Sequence, residues 1–322
     1  MGELKQRKRK HAAEKAKKLR DAPPPTSKSR RLWRSLRPGP EDLLLVAFLA
    51  MSARYFSSLT RVPIHRPEDF AGMRAAGSLA ARTLAHVEPL VISGTTTAEI
   101  DRVAAAFVAE NGAVAATVGY RGYKHSTCVS VNDVVCHGIP SEDVTLRDGD
   151  IVNVDVTVIV DGWHGDTSRT FIVGGEEKAS EAAAQLVNVT RESLEIGVSR
   201  CGPGRRMGDV VVPIRRHLER HGYAVVNKYA AHGIGRKFHA PPHIRHGAGA
   251  EGRGVLLKPG MFFTIEPMAN EKGVATRVLK DGWTVVTADG GLSAQFEHTV
   301  GVRSEEDGGG CEVFTRLDAS AD

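Results

Sequence analysis

The sequence contains few cysteines and no apolar segment long enough to cross a membrane. Among its 322 residues are four cysteines, Cys128, Cys136, Cys201 and Cys311, with no C-x-x-C pair. So few cysteines in a chain of this length exclude a disulfide framework and favour a reducing compartment, the cytoplasm. The apolar run Leu43–Met51 has nine residues, whereas a spanning helix needs about 20. We therefore expect no stable membrane association.

Positive charge is concentrated at the beginning of the chain. Residues 1–40 hold 14 Lys and Arg against 3 Asp and Glu, a local charge of +11, so the total of +5 leaves −6 for residues 41–322. Because this basic segment has little to bury, we expect residues 1–64 to form a largely disordered extension with one short apolar segment. The extension either docks on ribosomal RNA or another polyanion, or only solubilises the chain. Translation from Met51 instead of Met1 is a further alternative.

Regular helix and strand patterns begin near Pro67. Apolar residues recur at helical spacing up to Val87, and a second helix is predicted between a capping box at Thr96 and the Asn111-Gly112 pair. The remaining predictions are helices at 176–196 and 211–220 and strands at 223–226, 261–265 and 293–302. Two helix-helix-strand halves, residues 67–175 and 176–304, suggest an internal duplication. We predict one α+β catalytic domain over residues 65–305 and a C-terminal tail over 306–322.

The clearest pattern is a β-hairpin within GDIVNVDVTVIVDGWHGDTSRTF, which begins at Gly149. Polar and apolar residues alternate before Asp161-Gly162, a dipeptide typical of two-residue hairpin turns. If Val160 pairs with Trp163, Thr157 faces Asp166 and Asp155 lies diagonally across on the same face. Two converging carboxylates repel each other unless a cation or a shared proton intervenes, and a divalent metal is the usual partner of such hard oxygen ligands. A solvated polar hairpin face is the alternative.

Further potential ligands follow in the second half. HGIGRKFH contributes His232 and His239, FTIEP contributes Glu266, and SAQFEHT contributes Glu297. With the two aspartates of the hairpin, the four carboxylates would balance the charge of two divalent cations. A pair of metals about 3.5–4 Å apart is a known arrangement for the hydrolysis of acyl and phosphoryl bonds.

These motifs, together with CHGIP, resemble those of the methionine aminopeptidases, metallopeptidases of the pita-bread fold. The resemblance covers about residues 65–303. It implies two pseudo-symmetric helix-helix-strand halves around a central antiparallel sheet and two divalent metal ions, with Co, Mn, Fe(II) and Zn all compatible. It also implies removal of the initiator methionine from nascent proteins whose second residue is small.

The resemblance implies a role for each matching residue. The metal ligands would be Asp155, Asp166, His232, Glu266 and Glu297. Glu266 would also accept the proton of the attacking water, while His137 and His239 would contact the substrate amide and its developing oxyanion. The methionine side chain would lie among Tyr120, Tyr123, Cys128, Phe238 and Trp283, whose rings and thiol suit a flexible thioether.

The subtype and the rival functions depend on smaller features. Glu266 and Glu297 are only 31 positions apart, which resembles type I enzymes because the helical insertion of type II is absent. An Xaa-Pro aminopeptidase would carry a larger folded N-terminal domain, and a non-catalytic protein associated with ribosomes or RNA would have lost metal ligands. Thr117 and the missing proline after Tyr123 depart from the family pattern, so the breadth of substrate preference stays open. We expect a monomer that acts on nascent polypeptide N-termini.

Three other motifs are misleading. His217 to His221 resembles a zinc helix, but its glutamate stands two positions after the first histidine instead of one. Residues 247–252 read GxGxxG without a preceding strand, so we expect a loop. Cys136 beside His137 suggests a thiol nucleophile, but adjacent strand residues point to opposite faces.

Overall fold

A computed structural model describes residues 61–317 of the chain. Residues 1–60 and 318–322 lie outside the described part, and with them lie most of the predicted basic extension and the whole apolar run of residues 43–51. Between residues 61 and 317, no helix has the length and apolarity that a membrane crossing requires. The four α-helices of this part are α1 (Asp69–Val87), α2 (Thr97–Glu110), α3 (Glu181–Arg200) and α4 (Met207–Arg220).

The same residues contain fifteen β-strands, all of whose pairings are antiparallel. In the first half they are β1 (Val114–Ala115), β2 (Thr127–Val131), β3 (Val134–Cys136), β4 (Ile151–Val160) and β5 (Trp163–Ile172). In the second half they are β6 (Ala224–Val225), β7 (Ala231–Gly233), β8 (Ala240–Ile244), β9 (Phe262–Ile265), β10 (Met268–Asn270), β11 (Thr276–Val278), β12 (Val285–Thr287), β13 (Ser293–Gln295), β14 (His298–Val302) and β15 (Cys311–Val313).

The β4–β5 hairpin has the predicted register. Val160 pairs with Trp163, and Thr157 pairs with Asp166. Asp161 and Gly162 both have positive φ, 48° and 77°, as the type I′ turn of a two-residue hairpin requires. The turn therefore fixes which face of the sheet carries the aspartates.

The second half supplies the facing sheet, in the strand order β15-β14-β9-β7-β8. The two halves meet where Ser168 of β5 forms an antiparallel bridge with Glu297, between β13 and β14. The backbone N–H of Glu297 donates a 2.9 Å hydrogen bond to the Ser168 carbonyl, and the Thr299 hydroxyl donates to the Asp166 carbonyl. These contacts place Glu297 beside the hairpin carboxylates.

Helices cover the outer faces of these sheets. Helix α1 packs against β4 and β5, and the approach is close at Gly165, where a Cβ atom would lie 2.3 Å from the Ala76 carbonyl oxygen. A side chain at position 165, directly before Asp166, would therefore push the hairpin away from α1. Helices α3 and α4 pack on each other around a second core that includes Ile214, Leu218 and Phe263.

The predicted element boundaries were partly wrong. Helix α2 is confirmed, with Thr96 accepting the Glu99 N–H at its N-terminus. Helix α3 begins five residues later than predicted, because Ser180 caps it and residues 176–178 form a 3-10 turn. Helix α4 begins at Met207, four residues before the predicted start at residue 211, and Pro213 lies inside it.

The C-terminal segment differs from the predicted tail. Strand β15 pairs with β14, and the Phe314 side chain is buried against Phe70 of α1. The folded domain therefore continues to at least residue 317, beyond the predicted end at 305. A three-residue strand is too short to produce a readable alternation, but the burial of Phe314 stabilises its position.

Candidate metal centre and substrate cavity

A cavity of about 650 Å³ lies at the meeting of the two halves. It is lined by every site residue predicted from the sequence. These are Asp155, Asp166, His232, Glu266, Glu297, His137, His239, Tyr120, Tyr123, Cys128, Phe238 and Trp283. Residues from distant parts of the chain therefore share one cavity.

Three carboxylates converge on the cavity floor. Asp155 lies on β4, Asp166 on β5 and Glu297 between β13 and β14. One oxygen from each lies within 4.8 Å of the others. Asp166 and Glu297 are 4% and 3% exposed, so water solvates little of this negative charge.

A histidine and a fourth carboxylate complete the cluster. The Nε2 atom of His232 on β7 lies 3.6 Å from Oδ2 of Asp166 and 3.9 Å from Oε1 of Glu266. Glu266 directly follows β9, where Pro267 ends the strand. The five predicted ligand residues thus occur together in space, although 142 positions separate the first from the last.

Hydrogen bonds hold these side chains in place. The Thr157 hydroxyl donates a 2.7 Å hydrogen bond to Oδ1 of Asp166, and the Thr264 hydroxyl donates a 2.7 Å bond to Oε1 of Glu266. The backbone N–H of Glu266 donates to Nε2 of His246, 3.3 Å away. Such partners orient ligands around metal sites in proteins.

Burial shifts the pKa values of the whole cluster. Desolvation raises the pKa of Asp155 to about 7 and that of Glu266 to about 8. For Asp166 the pKa is raised well above its usual value by burial and then by the nearby Asp155 charge. Burial lowers the pKa of His232 to about 4, so this imidazole is neutral at pH 7 and available as a ligand.

The donor set fits divalent metal ions. Four carboxylates this close together, with so little contact with water, would not ionise together without cations. Within residues 61–317 the cluster's basic neighbour is His232, which is neutral at pH 7. Carboxylate oxygens and one imidazole suit Mn, Fe(II), Co and Zn. A divalent ion would relieve the repulsion that raises these pKa values.

Two more histidines border the cluster. His239 lies next to His232, with ring centroids 4.1 Å apart. Its surface stays partly exposed, but partial desolvation of the ring and the neighbouring His232 lower its pKa to about 3. His137 follows β3 with φ 57°, in the left-handed region, and its ring centroid lies 6.1 Å from that of Trp283. A non-glycine residue in this conformation is uncommon and is typical of functional sites. Both imidazoles are neutral at pH 7, because burial also lowers the pKa of His137.

The predicted side-chain pocket is an aromatic wall of the same cavity. Tyr123 and Trp283 have ring centroids 4.9 Å apart, and Tyr120 lies 5.2 Å from Phe238. Cys128 is buried nearby, and burial raises the pKa of its thiol. This thiol is protonated at neutral pH, so it contributes an apolar surface.

Several lining residues were not predicted from the sequence, among them Arg121, Lys228, Tyr229, His243 and Met268. Arg121 and Met268 adjoin a predicted residue or motif, but residue type alone does not single out any of the five. The exposed Arg121 and Lys228 gave no signal in the sequence.

The misleading motifs behave as predicted. His217 pairs with Glu192 on the neighbouring helix, 3.1 Å away, and His221 ends helix α4. Residues 247–252 form a loop. Cys136 is buried, and desolvation raises the pKa of its thiol well above the ordinary value, which excludes a ready thiolate nucleophile.

Comparisons with known proteins agree with this geometry. Residues 71–304 match the model of metallopeptidase family M24. The chain is 47% identical over 255 residues to a methionine aminopeptidase of Escherichia coli K12, a match that covers 79% of this chain and 94% of that protein. It is 48% identical over 243 residues to methionine aminopeptidase A of Synechocystis, covering 76% and 93% of the two chains.

Solved structures give the same result. The methionine aminopeptidase of Rickettsia prowazekii superposes with a TM-score of 0.75 at 45% identity, covering 80% of this chain and 100% of that one. A prolidase from Pyrococcus furiosus shares the fold, with a TM-score of 0.61 at 20% identity over 79% of this chain and 66% of its own. The pita-bread fold is thereby confirmed. The chain belongs to metallopeptidase family M24 and, within that family, to the methionine aminopeptidases, which are metal-dependent hydrolases.

Proposed function

We propose that this chain is a type I methionine aminopeptidase that removes the initiator methionine from nascent proteins in the cytoplasm. The observation that carries the proposal is the cluster of four carboxylates and His232 on the floor of a cavity with an aromatic wall. The segment between Glu266 and Glu297 consists of short strands and turns, without an inserted helix. This compact connection supports the type I assignment.

The cluster would hold two divalent metal ions, chosen among Mn, Fe(II), Co and Zn by availability. Asp155, Asp166, His232, Glu266 and Glu297 would hold these ions. The ions would polarise the scissile carbonyl and acidify a water molecule. Thr157 and Thr264 support this arrangement by fixing Asp166 and Glu266.

The surrounding side chains would perform the proton transfers and the orientation. Glu266 would accept the proton of the attacking water, because its carboxylate borders the cavity and its backbone is fixed by His246. His137 and His239 would donate hydrogen bonds to the substrate amide and to the developing negative charge on its oxygen. Neutral imidazoles carry one N–H each, so both can donate at pH 7.

Substrate selection would use both ends of the cavity. The methionine side chain would contact the rings of Tyr120, Tyr123, Phe238 and Trp283 and the Cys128 thiol, since thioethers pack well against aromatic edges. A bulky second residue would collide with the residues around the metal centre. Small second residues are therefore accepted.

The test compares the peptides Met-Ala-Ser, Met-Leu-Ser and Ala-Pro-Ser by mass spectrometry. We expect release of methionine from Met-Ala-Ser, little cleavage of Met-Leu-Ser and none of Ala-Pro-Ser. Preferred cleavage of Ala-Pro-Ser would instead favour an Xaa-Pro aminopeptidase. Glu266→Gln should abolish turnover while keeping the side-chain shape.

We also propose that the monomer docks on ribosomal RNA through the basic residues 1–40. Their local charge of +11 would release counterions from the phosphates on binding. A chain that lacks residues 1–60 should cleave Met-Ala-Ser like the full chain but sediment less with ribosomes at low salt. Equal sedimentation of both proteins would reject this docking role. Light scattering of the full chain would test whether it is a monomer.

A further inference from the structure

The mouth of the cavity has the opposite charge to its floor. The exposed lining residues are Arg121, Lys228, His239, His243, Val278 and Gly282, and none of them is acidic. The acidic lining residues all belong to the cluster on the floor. A polypeptide whose first residue occupies the floor must leave through this positively charged mouth.

Both cations at the mouth lack a carboxylate partner within residues 61–317. The Arg121 guanidinium lies 5.4 Å from the centroid of the Tyr120 ring, and Nζ of Lys228 lies 5.7 Å from that of Tyr229. In the described part of the chain neither side chain forms an ion pair or a hydrogen bond with another residue. Both charges are therefore available to a ligand at the mouth.

The backbone at Arg121 is unusual for a charged residue. Its φ is 48°, in the left-handed region, and Gly119 and Gly122 on either side have φ of 83° and 86°. Glycine or asparagine would adopt this conformation at lower cost. A guanidinium at a strained position on the rim of a catalytic cavity points to a functional role.

We propose that Arg121 and Lys228 select substrates by the carboxylates in their third to fifth residues. The inference rests on the proposed function and extends it, because the aromatic wall and the metal centre would contact only the first two residues of the substrate. Acidic residues just beyond the second position would meet two unpaired cations as the chain leaves the cavity. Lysine and arginine at the same positions would be repelled.

The experiment compares Met-Ala-Asp-Asp-Ser, Met-Ala-Ser-Ser-Ser and Met-Ala-Lys-Lys-Ser with the metal-loaded full chain. At low ionic strength we expect kcat/KM for the acidic peptide to exceed that for the basic one about tenfold, as two exposed charge pairs allow. Addition of KCl to roughly 0.5 M should reduce this ratio toward one, because salt screens exposed charges.

Variants locate the effect. Arg121→Asn keeps a residue that tolerates positive φ and should lower the ratio, while Arg121→Glu combined with Lys228→Glu should invert it. Arg216→Ala, which removes an exposed cation on α4 that pairs with Glu251 and does not line the cavity, should leave the ratio unchanged. Equal kcat/KM for the three peptides, or a ratio insensitive to the charge reversal, would overturn the proposal. Failure to cleave even the neutral peptide would reject the proposed aminopeptidase activity itself.

Discussion

The hydroxyl of Thr157 donates a 2.7 Å hydrogen bond to Oδ1 of Asp166, directly across the hairpin. This bond leaves Oδ2 facing His232. The pairing of one threonine with one aspartate therefore decides which carboxylate oxygen is turned toward His232 of the second half. The turn at Asp161-Gly162 sets the register that pairs these two residues. A register shift of one residue would move Asp166 to the other face of the sheet.

Replacement of Thr157 should therefore weaken metal binding. Thr157→Val removes the hydroxyl and keeps the branched shape, so we expect a loss of about 10–100-fold in metal affinity. Isothermal titration of metal-stripped protein measures it. Thr190→Val, which removes a buried hydroxyl on α3 that donates to the Leu186 carbonyl, is the matched control. Equal affinity in the two variants would mean that Thr157 does not orient the ligand.

The metal-free protein should lose stability as pH rises from 6.5 to 8. In the folded state the pKa of Asp155 is about 7 and that of Glu266 about 8, against ordinary values of 3.8 and 4.5. The folded state thus binds more protons than the unfolded state in this range, and its free energy of unfolding falls with pH. The lowered pKa values of His232 and His239 act in the opposite sense, but only below 6.5.

Thermal unfolding of chelator-treated protein against pH measures this effect. Metal-loaded protein should show no such fall, because its ligands are already ionised. Asp155→Asn should flatten the profile of the metal-free protein. A midpoint of the metal-free wild type that rises over the same interval would contradict the assignment of raised carboxylate pKa values.

Loss of the aromatic wall should impair binding more than chemistry. Trp283→Ala removes a ring that contacts Tyr123, and should raise KM for Met-Ala-Ser about fivefold to tenfold with a smaller change in kcat. Burial of a methionine side chain favours binding by roughly 1.5–3 kcal/mol. The expected rise in KM corresponds to the loss of part of this free energy. Val278→Ala, at the exposed mouth, is the control. An unchanged KM for Trp283→Ala would place the methionine side chain elsewhere.

The hairpin was predictable from the sequence because its information is local. Strand alternation and a turn with two positive φ values define the register without any contribution from the rest of the chain. The N-terminus of α2 was predictable for the same reason, since Thr96 and Glu99 are three residues apart. Local rules thus predicted the positions of two of the five proposed metal ligands, Asp155 and Asp166.

The positions of the other three proposed ligands could not be derived from spacing. His232 lies on β7 and Glu266 follows β9, 34 positions later, and only the resemblance to a family indicated that they meet. The C-terminal strand was missed because its stability comes from a tertiary contact, the burial of Phe314 against α1. The charge of the mouth depends on which side chains stay exposed after folding, which residue patterns do not specify.

Metal dependence of hydrolysis tests the account most directly. Metal-stripped protein would be supplied in turn with Mn, Fe(II), Co or Zn and assayed for release of methionine from Met-Ala-Ser, beside the variant Asp166→Asn. We expect at least one metal to restore hydrolysis in the wild type and none to restore it in the variant. A folded wild-type protein that stays inactive with every metal, or an Asp166→Asn variant that remains active, would contradict this expectation.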